Sequence, residues 1–273
     1  MALSTEESKE LSLFSGAGGG LLGSKLLGWR TICYVENNPY CVEVLKARIR
    51  DGYLDDAPIW DDVRTFDGYP WAGSVDIVTA GFPCQPWSNA GKQLGAADKR
   101  NLWPDTIRIV RQVRPRYVFL ENVPGLISNG YIGTVLGGLA EAGYDAEWGV
   151  LSAKAVGAPH LRKRVWIMAM AYTQGIGEGR LPVRPRRSLE GEPITLGSRK
   201  EVPDASINQL EKSGDITGKS RFAEIHWWSV EPELGRVADG IPHRVDRLRA
   251  IGNGEVPAVA RTAWMILSGR MND

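Results

Sequence analysis

Short apolar runs alternate with amphipathic stretches along the first 170 residues. The apolar runs are rich in β-branched and aromatic residues and cover residues 11–14, 31–35, 75–80 and 117–120. Helical patterns lie between them, at residues 20–27, 39–49, 102–113 and 132–142. Repeated strand-then-helix order predicts an α/β fold with a mostly parallel sheet covered by helices on both faces. Two further apolar runs, residues 147–151 and 165–171, are predicted to close one edge of that sheet.

The pattern changes after residue 171. Residues 171–226 contain seven Gly and four Pro with little apolar periodicity, so this segment cannot extend the first core. Order returns at Trp227, and residues 256–267 predict a closing helix with Pro257 in its first turn. We therefore expect a first domain over residues 1–170, a small insert over 171–235, and a segment over 236–273 that packs back onto the first domain.

Composition limits the class of protein. At 273 residues and 43% hydrophobic content, the chain can bury a full core, which excludes a disordered or fibrous protein. The 33 basic and 32 acidic side chains nearly cancel, but residues 1–80 carry 7 basic against 12 acidic and residues 162–200 carry 9 against 3. The basic segment suits a phosphate backbone, although such segments are more often only solvated.

The three cysteines, Cys33, Cys41 and Cys84, are too few for a disulfide framework or a four-ligand zinc site. The three histidines have no metal-ligand spacing. The first ten residues are polar, and no apolar run approaches the roughly 18 residues of a membrane span. The expectation is a soluble protein of a reducing compartment, without a metal.

Chemistry is expected beyond the carboxyl ends of the strands, where open α/β sheets bind ligands. The first strand is followed by the sequence LFSGAGGG, and Glu36 stands at the end of the second. Gly18, Gly20 and Gly23 have the G-x-G-x-x-G spacing of a nucleotide turn, with Glu36 available to a ribose diol. Because tight strand-to-helix turns often need glycine for geometry alone, this spacing indicates an adenosine-like cofactor without identifying it.

Cys84 lies in the sequence GFPCQPWS, beyond the third apolar run and between Pro83 and Pro86. The two prolines fix φ and stiffen the loop. A rigidly displayed thiol at the ligand edge predicts a nucleophile. Cys33 and Cys41, in or beside a predicted strand and helix, are instead expected to be buried small hydrophobic residues.

Glu121 follows the fourth apolar run directly. Neighbouring strands lie roughly 4.8 Å apart, so pairing of the third and fourth runs would separate the thiol of Cys84 from this carboxyl by about the width of a six-membered ring. That spacing suits attack on one ring atom while an acid holds another. The alternative is a carboxylate that only caps the following turn, through Asn122 and Pro124.

A basic segment leads into the last apolar run of the first domain. In an extended backbone, Arg162 and Arg164 point to one face and Lys163 to the other. Two guanidinium groups on one face could lower the pKa of a thiol, or hold a phosphate or a base carbonyl. The alternative is a solvated lead-in to an edge strand.

These motifs, in this order, resemble those of DNA (cytosine-5)-methyltransferases over residues 11–170 and about 236–268. LFSGAGGG resembles the cofactor loop of that family, VEN at 35–37 its ribose-binding acid, and DDV at 61–63 its adenine-contacting turn. GFPCQPWS resembles the nucleophile loop, ENV at 121–123 the base-holding acid, and the Arg162 and Arg164 pair the arginine motif. IGNGEVP at 251–257 resembles the last motif, which completes the cofactor pocket. The chain departs from the family at His160, where Gln is usual, and at Glu255, where a small or apolar residue is common.

The resemblance implies a class I methyltransferase fold, Rossmann-like, with S-adenosyl-L-methionine as cofactor and residues 171–235 as a short target-recognition region. The implied cofactor-binding residues are Phe14, Ser15, Gly16, Gly18, Gly19, Glu36, Asp62, Val63, Pro83, Leu102 and Asn253. The implied catalytic residues are Cys84, Glu121, Arg162 and Arg164. The candidate DNA contacts are Gln85, Ser88, Arg184, Arg186 and Arg187. For the three arginines, a basic loop that is only solvated is an equally weighted alternative.

The reaction implied is methylation of C5 of a cytosine that is flipped out of duplex DNA. Cys84 adds to C6, Glu121 holds N3 and the exocyclic amine, and Arg162 or Arg164 orients the base. We expect a monomer in the cytoplasm of a bacterium or a phage-infected cell, with a place in restriction-modification.

Three alternatives stay open at this point. An RNA cytosine-5 methyltransferase of the same fold would share every motif. A nicotinamide-dependent (NAD) dehydrogenase would use the same glycine turn and Glu36, but it would need neither Cys84 nor Glu121. The third is a catalytically silent DNA-binding protein.

Overall fold

The computed structural model describes residues 7–83, 101–172 and 244–269. Within these ranges seven strands form one sheet: β1 (Lys9–Leu13), β2 (Arg30–Val35), β3 (Ile59–Trp60), β4 (Ile77–Ala80), β5 (Tyr117–Asn122), β6 (Tyr144–Ser152) and β7 (Lys163–Ala171). Their order across the sheet is β3-β2-β1-β4-β5-β7-β6. The first five pair in parallel, and β7 runs antiparallel to both β5 and β6. The predicted mostly parallel sheet, closed at one edge by the last two strands, is confirmed.

The helices of the described ranges are α1 (Gly19–Leu26), α2 (Pro39–Arg50), α3 (Trp103–Val113), α4 (Gly125–Ser128), α5 (Ile132–Glu141), α6 (Arg244–Asn253) and α7 (Pro257–Leu267). Five of them match the predicted helices to within a few residues. The elements that the pattern missed are β3, α4 and α6. The first two are too short to show a period, and the side chains of α6 are mostly exposed, so no apolar stripe marks it.

Local sequence explains where the helices begin. The Asn38 side chain accepts a hydrogen bond from the Cys41 amide at 3.2 Å and so caps α2, with Pro39 in the first turn. Helix α3 likewise begins with a proline in its first turn and carries Asp105 there, near the positive end of the helix dipole. These signals determine the residues at which α2 and α3 begin.

Alternating side chains of β5 build the two halves of the core. Val118 and Leu120 are buried on the face that α3 and α5 cover. Tyr117 and Phe119 are buried on the opposite face, in a cluster that includes Trp264 of α7. Both faces of the central strands are therefore apolar, as a parallel sheet between helical layers requires.

Aromatic side chains fasten α7 to the sheet. The Trp264 ring meets Trp29 edge-on, with ring centroids 4.6 Å apart, and contacts Phe119 at 5.3 Å and Tyr117 at 5.4 Å. Such edge-to-face contacts add to the stabilisation that burial gives. The end of the described chain thus returns to the sheet, beside α1.

Two negative findings apply to the part of the chain that the structure describes. No helix there is both long enough and apolar enough to cross a bilayer. No cluster of three or more His, Cys, Asp or Glu side chains there could hold a metal ion. Of the predicted insert over residues 171–235, only the first two residues lie in the described ranges.

Candidate active site

A tight turn joins the carboxyl end of β1 to the start of α1. Phe14, Gly16 and Gly18 adopt positive φ angles of 56°, 55° and 92°, which allow the chain to reverse within a few residues. The Ser15 amide donates to the Val35 carbonyl at 3.1 Å and so fastens the turn to the end of β2. The predicted glycine-rich turn is therefore present at the ligand edge of the sheet.

Part of this glycine pattern has a purely geometric reason. A Cβ on Gly19 would lie 2.6 Å from the Glu255 carbonyl oxygen, so only glycine lets the segment before α7 approach α1 this closely. A Cβ on Gly18 would instead face the side chains of Leu45, Leu54 and Leu21. Gly18 therefore faces a small apolar cluster.

Glu36, at the end of β2, organises the turn. Its Oε2 accepts a hydrogen bond from the Gly16 amide and its Oε1 accepts one from the Asn38 amide, each at 2.7 Å. The side chain is 91% buried, with 9% of its surface exposed. One carboxylate thus ties the glycine turn to the start of α2, and each oxygen keeps a lone pair for a further donor.

A cavity of about 410 Å³ opens beside this carboxylate, within the range of small-ligand sites. Seven of the predicted cofactor residues line it: Phe14, Gly16, Glu36, Val63, Pro83, Leu102 and Asn253. They come from six separate stretches of chain. Ser15 and Gly19 line a smaller cavity of about 60 Å³ next to it.

Two predicted cofactor residues, Gly18 and Asp62, do not line either cavity. Asp62 accepts a hydrogen bond from the Arg64 amide at 2.9 Å and pairs with the Arg64 guanidinium at 3.4 Å. It shapes the turn that presents the neighbouring Val63 to the cavity.

Glu121 and Arg164 form an ion pair at the carboxyl end of β5. Arg164 Nε lies 2.7 Å from Glu121 Oε1, and both side chains are largely buried, at 19% and 13% exposed. Burial raises the pKa of the Glu121 carboxyl, while Arg164 and then Arg162 oppose that rise. The interpretation of Glu121 as a mere turn cap is not supported, since its carboxyl pairs with Arg164 and lines the cavity.

Arg162 differs from the extended conformation that the sequence suggested. It precedes β7 and has a positive φ of 28°, and its Nη2 donates to the carbonyl oxygens of Gly252, at 2.8 Å, and Gly254. Burial, with the nearby charge of Arg164, lowers the pKa of this guanidinium. The two arginines are close to each other, but Arg162 braces the junction of α6 and α7 while Arg164 holds Glu121.

Asn122 joins the end of β5 to the segment that follows β4. Its Nδ2 donates to the Phe82 carbonyl at 3.0 Å, and its Oδ1 accepts from the Val123 amide at 2.9 Å. Asn122 is only 3% exposed. The expected pairing of the third and fourth apolar runs is confirmed, because β4 and β5 pair in parallel from Ile77 to Ala80.

Comparison with known proteins now identifies the family. A family model described as C-5 cytosine-specific DNA methylase matches residues 8–224. The chain belongs to this family.

Curated relatives of this chain are named Type II methyltransferases. M.NgoMIV of Neisseria gonorrhoeae is 35% identical over 163 residues, which cover 59% of this chain and 51% of the relative. M.NaeI of Lentzea aerocolonigenes is 33% identical over 256 residues, covering 88% of this chain and 62% of the relative. This chain thus spans 51% and 62% of the length of these two relatives.

Among solved structures, a DNMT2 mutant of Spodoptera frugiperda superposes with a TM-score of 0.50 at 25% identity, covering 60% of this chain and 50% of that one. The methyltransferase of Entamoeba histolytica named EhMeth superposes with a TM-score of 0.51 at 17% identity, covering 65% and 57%. The expected class I methyltransferase fold is confirmed.

Several predicted site residues lie outside the described residues: Cys84, Gln85, Ser88, Arg184, Arg186 and Arg187. The other two cysteines are described and buried. Burial raises the pKa of the Cys33 thiol to about 12 and that of the Cys41 thiol to about 11, so neither is ionised near neutral pH. Their interpretation as small buried residues is confirmed.

Sequence reasoning missed one buried acid, Glu10 near the start of β1. Its carboxyl accepts hydrogen bonds from Ser24, Thr31 and Thr79 at 2.9, 2.8 and 2.6 Å. Burial raises the pKa of Glu10, against these hydrogen bonds. Glu10 ends a polar and charged stretch directly before the apolar run at residues 11–14, so no local signal distinguished it.

Proposed function

We propose that this chain methylates C5 of cytosine in duplex DNA, with S-adenosylmethionine as the methyl donor. One observation carries the proposal. The buried Glu121–Arg164 pair lies at the carboxyl end of β5, on the same cavity as Pro83, which is the residue bonded to Cys84. An acid and the segment that carries the candidate nucleophile therefore meet at one ligand site.

The cavity suits the adenosine part of the cofactor. Val63, Leu102 and Phe82 supply apolar walls, and Glu36 supplies carboxylate lone pairs for hydroxyl donors. The turn at Gly16 brings backbone rather than side chain to the cavity. When bound, S-adenosylmethionine supplies an electrophilic methyl group carried on a sulfonium.

The chain's own residues then prepare the base. Cytosine C5 is a weak nucleophile, so the thiolate of Cys84 adds to C6 and pushes electron density into the ring. Glu121, whose pKa burial raises, retains its proton to higher pH than an exposed carboxyl and can donate it toward N3 as that density arrives. Arg164 fixes the direction of this carboxyl.

Access to C6 requires the cytosine to leave the stack, because a stacked base presents neither face to a thiol. The basic and glycine-rich region after residue 171 is proposed to hold the duplex and to read flanking bases. The curated relatives are named Type II methyltransferases; we extend to this chain a role in protecting DNA within a restriction-modification system.

The test is covalent trapping. A duplex with 5-fluorocytosine at the target cannot lose fluorine as a proton, so the cysteine adduct should accumulate as a stable complex on a denaturing gel when the cofactor is added. Cys84→Ser should abolish trapping. Cys33→Ser and Cys41→Ser are the matched controls and should trap like the wild type, because both thiols are buried. Trapping by Cys84→Ser at the wild-type rate would contradict the assignment.

The alternatives give different results in the same assay. An RNA methyltransferase would trap structured RNA containing 5-fluorocytosine and leave the duplex free. A DNA-binding protein without activity would retain the duplex only noncovalently. Family membership already favours methyl transfer over nicotinamide chemistry, and transfer of labelled methyl groups would separate those two directly.

A further inference from the structure

Glu255 lies between α6 and α7, and its carboxyl group reaches into the candidate site. A Cβ built on Gly20 would lie 2.8 Å from Glu255 Oε2, and one built on Gly81 would lie 3.3 Å from Oε1. The carboxyl is therefore held between the first turn of α1 and the end of β4. It lines the smaller cavity together with Phe14 and Glu121.

Four charged side chains face this carboxyl from the elements packed around it. Glu121 of β5 and Glu10 of β1 repel its negative form, whereas Arg162 and Arg164 attract it. Burial is the largest influence, and with the two acids it raises the pKa of Glu255 to about 8. Among the described residues the Glu255 carboxyl forms no ion pair and no hydrogen bond, so its charge is not compensated by a direct partner.

The two carboxyl groups of the site share one neighbour. The Cβ position of Gly81 lies 3.3 Å from Glu255 Oε1 and 3.5 Å from Glu121 Oε2. If Glu121 holds the target base, the methyl group must be delivered close to this point. The sulfur that carries the methyl is positively charged before transfer and neutral afterwards, so under the proposed function Glu255 would lie beside the place where a unit charge disappears.

We propose that Glu255 recognises the positive charge of S-adenosylmethionine and makes the pocket prefer it to the demethylated product, S-adenosylhomocysteine. This inference rests on the proposed function. The raised pKa of Glu255 favours the protonated form of its carboxyl in the free protein, and the carboxyl ionises when the cation enters. Its proton passes to the solvent, and loss of the sulfonium charge after transfer favours reprotonation and release of the product.

The experiment is titration calorimetry of the intact chain with each of the two compounds, from about pH 6 to pH 8.5, in buffers of different ionisation enthalpy. S-adenosylmethionine should release up to one proton, and its affinity should rise by up to about tenfold per pH unit below pH 8. S-adenosylhomocysteine carries the same amino and carboxyl groups but no sulfonium, so its affinity should stay nearly constant. It is the internal control for those groups.

Glu255→Gln should remove the proton release and should reduce the preference for S-adenosylmethionine to a value that does not change with pH. Glu43→Gln, on the exposed face of α2, is the matched control and should behave like the wild type. Circular dichroism checks that both variants fold. If Glu255→Gln does not fold, the proton release measured for the wild type still tests the inference.

The possible results distinguish a failure of this inference from a failure of the proposed function. If the wild type binds both compounds with the same pH dependence, or Glu255→Gln keeps the wild-type proton release, the role of Glu255 is overturned and the cofactor assignment stands. If the wild type binds neither compound, both are overturned.

Discussion

Arg164 and Glu121 meet because β7 runs antiparallel to β5. The register pairs Asn122 with Val165, so the residue before Val165 arrives beside the carboxyl end of β5. Arg164 Nε then lies 2.7 Å from Glu121 Oε1. A parallel β7 would have put its N-terminal arginine at the opposite edge of the sheet, away from the cavity.

Replacing Arg164 with Ala should slow methyl transfer by about 10- to 100-fold, the scale of one lost hydrogen bond to a charged group, about 1.5–3 kcal/mol. The pKa of Glu121 should rise further, because burial raises it and Arg164 opposes that rise. Since a protonated Glu121 is the proposed acid, the alkaline limb of the pH profile for methyl transfer should move to higher pH.

Arg164→Lys keeps the charge and should keep the position of the alkaline limb while losing rate, because lysine cannot reproduce the guanidinium geometry. The exposed neighbour Lys163 provides the control, and Lys163→Ala should leave both rate and profile unchanged. If the pH profile of Arg164→Ala equals that of the wild type, Arg164 does not influence the titration of Glu121.

Glu36→Ala should weaken S-adenosylmethionine binding by about 1.5–3 kcal/mol. The change removes acceptors for the proposed ribose hydroxyl groups and also releases the amides of Gly16 and Asn38 from their 2.7 Å hydrogen bonds. Calorimetry would measure the affinity, with the exposed Glu43→Ala as control. Unchanged affinity would exclude a role for Glu36 in cofactor binding.

Buried carboxyl groups should make the free energy of unfolding depend on pH. The pKa of Glu255 is raised from 4.5 to about 8 in the folded protein, so folding takes up a proton between these values. The corresponding stability is fully present below about pH 4.5, falls as the pH rises, and is lost above about pH 8. The pKa of Glu10 is raised too, so its contribution has the same sign.

Urea denaturation at a series of pH values tests this prediction. Glu255→Gln cannot titrate and should give a flatter dependence than the wild type between about pH 5 and pH 8. Glu43→Gln, whose carboxyl is exposed, should not flatten it. Equal slopes for wild type and Glu255→Gln would mean that the Glu255 carboxyl is solvated in the folded protein.

The basic insert should contribute to DNA affinity independently of the cofactor site. If Arg184, Arg186 and Arg187 contact phosphates, replacing all three with Ala should weaken duplex binding and reduce the slope of log affinity against log salt by roughly 0.9 per lost contact. Cofactor affinity should not change. If the slope equals that of the wild type, the phosphate contacts lie elsewhere in the insert, and residues 212–221 would be tested next.

From the sequence we could predict the strand-and-helix order, a site at the carboxyl ends of the strands, and the family. These properties depend on local signals: apolar runs bounded by Gly and Pro, and motifs that directly follow them. Glu36 and Glu121 could be selected in this way because each stands at the end of its own strand.

The partners of those two acids became visible only in the folded chain. Glu121 meets Arg164 because of the strand direction of β7. The two oxygens of Glu36 accept hydrogen bonds from backbone amides that precede α1 and α2. Glu255 reaches Gly20 and Gly81 from a segment more than 170 residues away in the chain. Such contacts depend on packing between distant segments, and local periodicity carries no information about them.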